Sequence, residues 1–74
     1  MQRYAEINGR RLRQLRLERA LTQADLCRMT GMSEDALSRL ENELRRARPS
    51  TIRRLADALG VESRELIKTE DRST

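Results

Sequence analysis

The stretch SEDALSRLEN, Ser33 to Asn42, holds the side chains with the clearest recognition chemistry in the chain. Arg39 lies one helical turn beyond Asp35, on the face opposite Leu37 and Leu40. A guanidinium fork matches the O6 and N7 acceptors of guanine, and a carboxylate can accept a bond from the cytosine amino group. Two other readings of Glu34 and Asp35 stand beside base readout. Carboxylates in a first helical turn meet the positive end of the dipole, worth about 0.3–1 kcal/mol each. An Asp35–Arg39 pair at four-residue spacing contributes about 0.2–0.5 kcal/mol and orients the guanidinium. Catalytic constellations are not visible. The chain has no histidine, one cysteine (Cys27) and no glycine-rich phosphate loop, so no nucleophile–base pair stands out. No enzymatic activity and no cofactor are expected, and neither a zinc site nor a disulfide framework is available within one chain.

Charge says what such a stretch would meet. The 74 residues carry a formal net charge of +4. Residues 1–50 hold eleven arginines against seven acids, and residues 51–74 hold five bases against five acids. The positive field therefore belongs to the first two thirds, and it favours polyanions, nucleic acid before an anionic membrane. No apolar run approaches the ~20 residues of a membrane span, and no signal-peptide pattern opens the chain. The compartment expected is the cytoplasm, with no membrane partner.

The elements that would position these residues are helical. With 36% hydrophobic residues, no Phe or Trp and Tyr4 as the single aromatic, the core must come from Leu, Ile, Ala, Val and Met. That composition suits short packed helices. Helical periodicity appears five times. The first helix spans about 8–19, with Leu12 and Leu15 on one face and Ile7 off that register. The second is capped by Thr22, with Asp25 closing a variant capping box. Its inner face is Leu26, Cys27 and Thr30, and Gly31 ends it. Ser33 caps the third, whose stripe is Leu37, Leu40 and Leu44. Pro49 introduces the fourth, either as its first residue or just before an N-cap at Ser50; Ile52, Leu55, Ala56 and Leu59 line it and Gly60 ends it. Ser63 caps a short fifth helix carrying Leu66 and Ile67. Residues 1–67 form one domain, and 68–74 read as a polar, disordered tail. Only Gly31 and Met32 separate the second helix from the third. Helices joined so tightly must cross steeply with small residues at the crossing, where Cys27 sits. This is a helix-turn-helix pattern.

LRQLR (12–16), LTQADLCRMTGMS (21–33), LEN (40–42) and LADALGV (55–61), in this order and spacing, resemble the phage-repressor and Cro-type (Xre-type) helix-turn-helix family over about residues 8–67. The resemblance implies an all-α, compact five-helix, lambda-repressor-like fold with the third helix, about 33–44, in the major groove of double-stranded DNA. It implies a transcriptional regulator acting as a homodimer. By position in the family, Glu34, Asp35, Ser38 and Arg39 would face bases. Gln23 and Asn42 match family residues that reach the DNA backbone, and Thr22, Arg13, Arg46 and Arg48 are expected to join them on phosphates. Arg16 and Glu41 match a family ion pair between helices one and three. There are three departures. Ala20 stands where glycine is usual, at a cost of roughly 1 kcal/mol if the backbone there is left-handed. Glu43 also replaces a glycine, so helix three is expected to run on toward Arg46. Cys27 replaces an alanine and reads as a small core residue. The apolar residues Leu59, Val61, Leu66 and Ile67 offer a weak homodimer surface in the neutral third of the chain. A competing reading is a helix-turn-helix module used for protein–protein contact, antitoxin-like or accessory, in which the acids would meet a basic partner.

Overall fold

A computed structural model describes residues 4–42 and 46–68. The chain order is β1 (Ala5–Glu6), α1 (Gly9–Glu18), α2 (Gln23–Thr30), α3 (Glu34–Asn42), β2 (Arg46–Ala47) and α4 (Pro49–Leu59), followed by a 3-10 turn at Ser63–Glu65. Among the described residues the domain is small and mostly helical, with four α-helices. The fifth helix of the sequence reading is this single turn, and Ser63 does not cap it. The reason lies in the backbone. The segment leaving the turn is drawn into extended pairing instead: Asn8 donates its N–H to the Leu66 carbonyl at 2.8 Å, and Lys68 donates to the Glu6 carbonyl at 2.9 Å. Ile7 and Ile67 form an antiparallel bridge there. Helical geometry at 66–68 would forfeit these bonds. Lys68, assigned to the tail, is thus bonded, and residues 69–74 lie outside the described residues.

The all-α expectation needs a second correction. β1 pairs antiparallel with β2, with Ala5 opposite Ala47 and Glu6 opposite Arg46. Because Arg46 and Ala47 are extended, α3 does not run through to Arg46. The expectations for Glu43, Leu44 and Arg45 fall outside the described residues.

Local chemistry sets the helix ends. The Asn8 side chain accepts the Arg11 N–H and starts α1. Thr22 and Asp25 form a reciprocal capping box at the start of α2, with bonds of 3.0 and 2.9 Å. Gly31, at φ 79°, ends α2 in the left-handed region that glycine adopts without steric cost. The Ser33 hydroxyl accepts the Ala36 N–H at 3.1 Å and caps α3. Pro49 is the first residue of α4. Ala20, between α1 and α2, has φ 56°, so a side chain occupies a backbone that favours glycine.

The core gathers one stripe from each helix: Leu12 and Leu15, Leu26 and Cys27, Leu37 and Leu40, then Ile52, Leu55, Ala56 and Leu59. Ile7, Ala47 and Leu66 close it. Full burial of Ile7 explains why it falls off the helical register: it packs from an extended segment, not from α1. Leu59 and Leu66 are buried at 2% and 0% exposure, so they belong to this core and cannot form a dimer surface. Val61 and Ile67 remain partly buried at its edge.

Candidate functional site

The placement of α3 rests on one buried polar cluster. Arg16, on α1, presents Nε to Oε2 of Glu41 at 2.6 Å and Nη2 to Oε1 at 3.0 Å. Its remaining nitrogen, Nη1, donates to the Leu21 carbonyl at 2.8 Å, in the link between α1 and α2. Gln23, in the first turn of α2, donates from Nε2 to the same Glu41 Oε1 at 3.1 Å. Glu41 is thereby tied to both preceding helices. The side chains of Arg16 and Glu41 are 8% and 2% exposed. The bond donated to Glu41 raises the pKa of the Arg16 guanidinium, and this outweighs the burial that would lower it. Bidentate geometry of this kind supplies orientation as well as energy.

Close backbone approach supplements the cluster. A Cβ added at Gly9 would stand 2.2 Å from the Leu40 carbonyl oxygen and 2.8 Å from that of Glu41. Only glycine lets the start of α1 rest against the end of α3. Sequence reasoning missed this, because a contact between two backbones leaves no local signature.

With Leu37, Leu40 and Glu41 buried, α3 turns its other side outward. Glu34, Asp35 and Arg39 are exposed, and Ser38 is half-buried. Arg39 Nε lies 3.4 Å from Asp35 Oδ2, so the pair at four-residue spacing forms on the helix surface. Asn42, at the end of α3, donates from Nδ2 to Ser38 Oγ at 3.2 Å. Thr22 is exposed and occupied as the α2 cap. The bonds from its own N–H and hydroxyl hold the Asp25 carboxyl below the usual carboxylate range.

Arg46 and Arg48 are brought to the flank of α3. They line a groove together with Tyr4, Asp35, Arg39 and Thr51. Arg48 Nε donates to the Tyr4 hydroxyl at 2.9 Å, and its guanidinium carbon sits 5.9 Å from the centre of the ring. Tyr4 is a residue that sequence reasoning passed over. Arg13 is not brought to this groove: it is exposed on α1, beside Arg10, Gln14 and Leu17. Cys27, on α2, is buried in the core. Burial, then the nearby charges of Glu34 and Glu41, pushes its thiol up, which disfavours the reactive thiolate.

No helix among the described residues is long and apolar enough to cross a membrane. Among the same residues, no three His, Cys, Asp or Glu side chains group as metal ligands.

Comparison with known proteins agrees with this geometry. The family profile described as "Helix-turn-helix domain" matches residues 9–69. The chain is 44% identical over 54 residues to the HTH-type transcriptional repressor RghR of Bacillus subtilis, a match covering 72% of this chain and 40% of that protein's length. The restriction-modification controller protein C.AhdI of Aeromonas hydrophila has a similar structure, with TM-score 0.72 and 35% identity over 77% of this chain and 86% of that one. A similar fold also occurs in HEPD of Streptomyces albus, solved with 2-hydroxyethylphosphonate and Fe(II), at 33% identity and TM-score 0.72. There the match covers 84% of this chain and only 15% of the larger protein. The capped α2, the glycine turn, the braced α3 and these similarities together show that the chain belongs to the helix-turn-helix domain family, of phage-repressor and Cro (Xre) type.

Proposed function

We propose that this domain binds double-stranded DNA sequence-specifically through α3 in the major groove and regulates transcription. One observation carries the reading: α3 is fixed from behind by Leu37, Leu40 and the Arg16–Glu41–Gln23 cluster, while Asp35 and Arg39 stand exposed on its outer side. A reading helix needs this combination, because a loosely held helix would lose base discrimination to its own motion. The net charge of +4 supplies the general attraction to phosphate. The relatives named as a transcriptional repressor and a controller protein support the regulatory role.

Within this reading, Arg39 takes guanine, with Glu34, Asp35 and Ser38 completing the base contacts. Thr22, Gln23, Asn42, Arg46 and Arg48 meet the sugar–phosphate backbone. Arg13 stands apart from this set. The domain acts as a homodimer on two half-sites. Since Leu59 and Leu66 are spent in the core, Val61 and Ile67 are the apolar residues of the neutral third left to contribute.

Selection of binding sites from random duplexes tests the proposal. A two-fold symmetric site bound in a salt-dependent manner is the expected result. Failure to enrich any sequence, combined with weak binding to plain duplex, would refute it and favour a protein-contact module.

A further inference from the structure

The small sheet has a role that its size conceals. Its register pairs Ala5 with Ala47 and Glu6 with Arg46. One step further along the same register, Tyr4 stands opposite Arg48. Side chains alternate across a strand, so the Ala5–Ala47 pair points to one face. Ala47 is buried, and that face is the core. The flanking pairs, Glu6–Arg46 and Tyr4–Arg48, point to the other face, where Tyr4, Arg46 and Arg48 are exposed. The sheet is thus a mount that presents two guanidinium groups beside the outer side of α3.

Tyr4 then determines how one of them is aimed. Its hydroxyl accepts from Arg48 Nε at 2.9 Å, and the guanidinium lies against the ring at 5.9 Å. The hydrogen bond to Tyr4 raises the pKa of Arg48. The bond to the tyrosine uses Nε and so occupies neither terminal nitrogen of the fork. A free arginine side chain loses rotamer freedom when it grips an anion, and one already held loses less.

We infer that Tyr4 is a positioning residue for DNA binding: it sets the Arg48 fork to receive a backbone phosphate alongside the major-groove helix. This rests on the DNA-binding reading and adds to it a residue outside the helix-turn-helix. The sheet, and not α3 alone, then defines one edge of the interface.

The test compares the wild-type protein with Tyr4→Phe, Tyr4→Ala, Arg48→Ala and the Tyr4→Phe/Arg48→Ala double variant. Binding to the selected duplex is measured by fluorescence anisotropy at several salt concentrations. Phenylalanine keeps the ring and loses only the hydroxyl, and thermal melts establish that each variant is folded. Loss of one phosphate contact should lower the salt slope of Arg48→Ala by about one. Tyr4→Phe should weaken binding by roughly 2- to 10-fold, the range for one hydrogen bond, and Tyr4→Ala by more. On the Arg48→Ala background, Tyr4→Phe should cost nothing further. A purely structural tyrosine would lower the melting temperature and leave the salt slope untouched. The inference is overturned if Tyr4→Phe binds like wild type, or if its cost persists in full without Arg48. If the wild-type protein selects no duplex at all, the DNA-binding reading falls with it. If the wild type binds and Arg48→Ala weakens it while Tyr4→Phe does not, only the role of Tyr4 falls.

Discussion

Arg16 and Glu41 meet across α1 and α3 with Nε and Oε2 2.6 Å apart and both side chains almost fully buried. Removing one partner would strand the other charge away from water. Glu41→Ala should therefore cost about 3 kcal/mol of stability, measured by urea unfolding, where an exposed pair would cost under about 1 kcal/mol. A loss in the lower range would show that Arg16 reaches solvent once unpaired. Glu41→Gln should do less harm, since the amide oxygen still accepts one of the bonds.

Backbone conformation gives a prediction in the opposite direction. Ala20 has φ 56°, a conformation that glycine adopts without steric cost. Ala20→Gly should stabilise the domain by about 1 kcal/mol, the steric relief exceeding glycine's added freedom when unfolded. Gly9→Ala should do the reverse, because the new methyl would press on the Leu40 and Glu41 carbonyls. Overpacking of this kind costs about 1–3 kcal/mol. Thermal melts of the two variants should shift in opposite senses.

The capping box carries a pH signature. Asp25 titrates lower in the folded domain than in the unfolded chain, because its carboxylate is bonded first by the Thr22 backbone N–H and then by the Thr22 hydroxyl. Its contribution is complete above the unfolded aspartate value, near pH 4, and is lost as pH falls through the folded value. Asp25→Asn should remove part of the acid sensitivity of stability, while wild type and variant fall with parallel slopes at neutral pH. Thr22→Ala should cost about 1 kcal/mol at every pH above that window.

Specificity under the DNA-binding proposal should divide between two arginines. Arg39→Ala should cost about 1–3 kcal/mol on the preferred duplex and relax choice at one base pair. Arg46→Ala should weaken preferred and random duplexes alike and lower the salt slope. Asp35→Asn separates the roles of the acid 3.4 Å from Arg39. Unchanged preference would mean that Asp35 serves the helix only. Loosening at the position Arg39 reads would mean orientation, and a change at another base pair would mean direct contact. Equal losses for preferred and random duplexes with Arg39→Ala would refute Arg39 as the main reader.

What the sequence discloses here follows the range of the forces involved. Thr22, Asp25, Gly31 and Pro49 act within one helical turn, so residue type and spacing alone located the ends of α2 and narrowed the start of α4 to Pro49 or a cap at Ser50. The leucine stripes likewise named most of the core. Ile7, Gly9 and Tyr4 act through segments far along the chain. Ile7 pairs with Ile67, Gly9 abuts Leu40 and Tyr4 bonds Arg48. None of the three shows a helical period, and their roles emerge only when the chain closes. The same cause hid the fate of Leu59 and Leu66: their apolar character was plain, but the elements that cover them were not.

The segment around Ile7 shares backbone bonds with two distant stretches, residues 46–47 on one side and 66–68 on the other. These pairings close loops of very different length from those inside the helical pairs. Loop-closure entropy rises with length, and non-local contacts reward it only once formed. The four helices should therefore assemble first, with the strand segment docking near the end of the folding reaction. Substitutions at Ile7 or Ile67 should then quicken unfolding far more than they slow refolding. The edge that holds Arg46 and Arg48 in place would be the last part of the domain to take shape and the first to open.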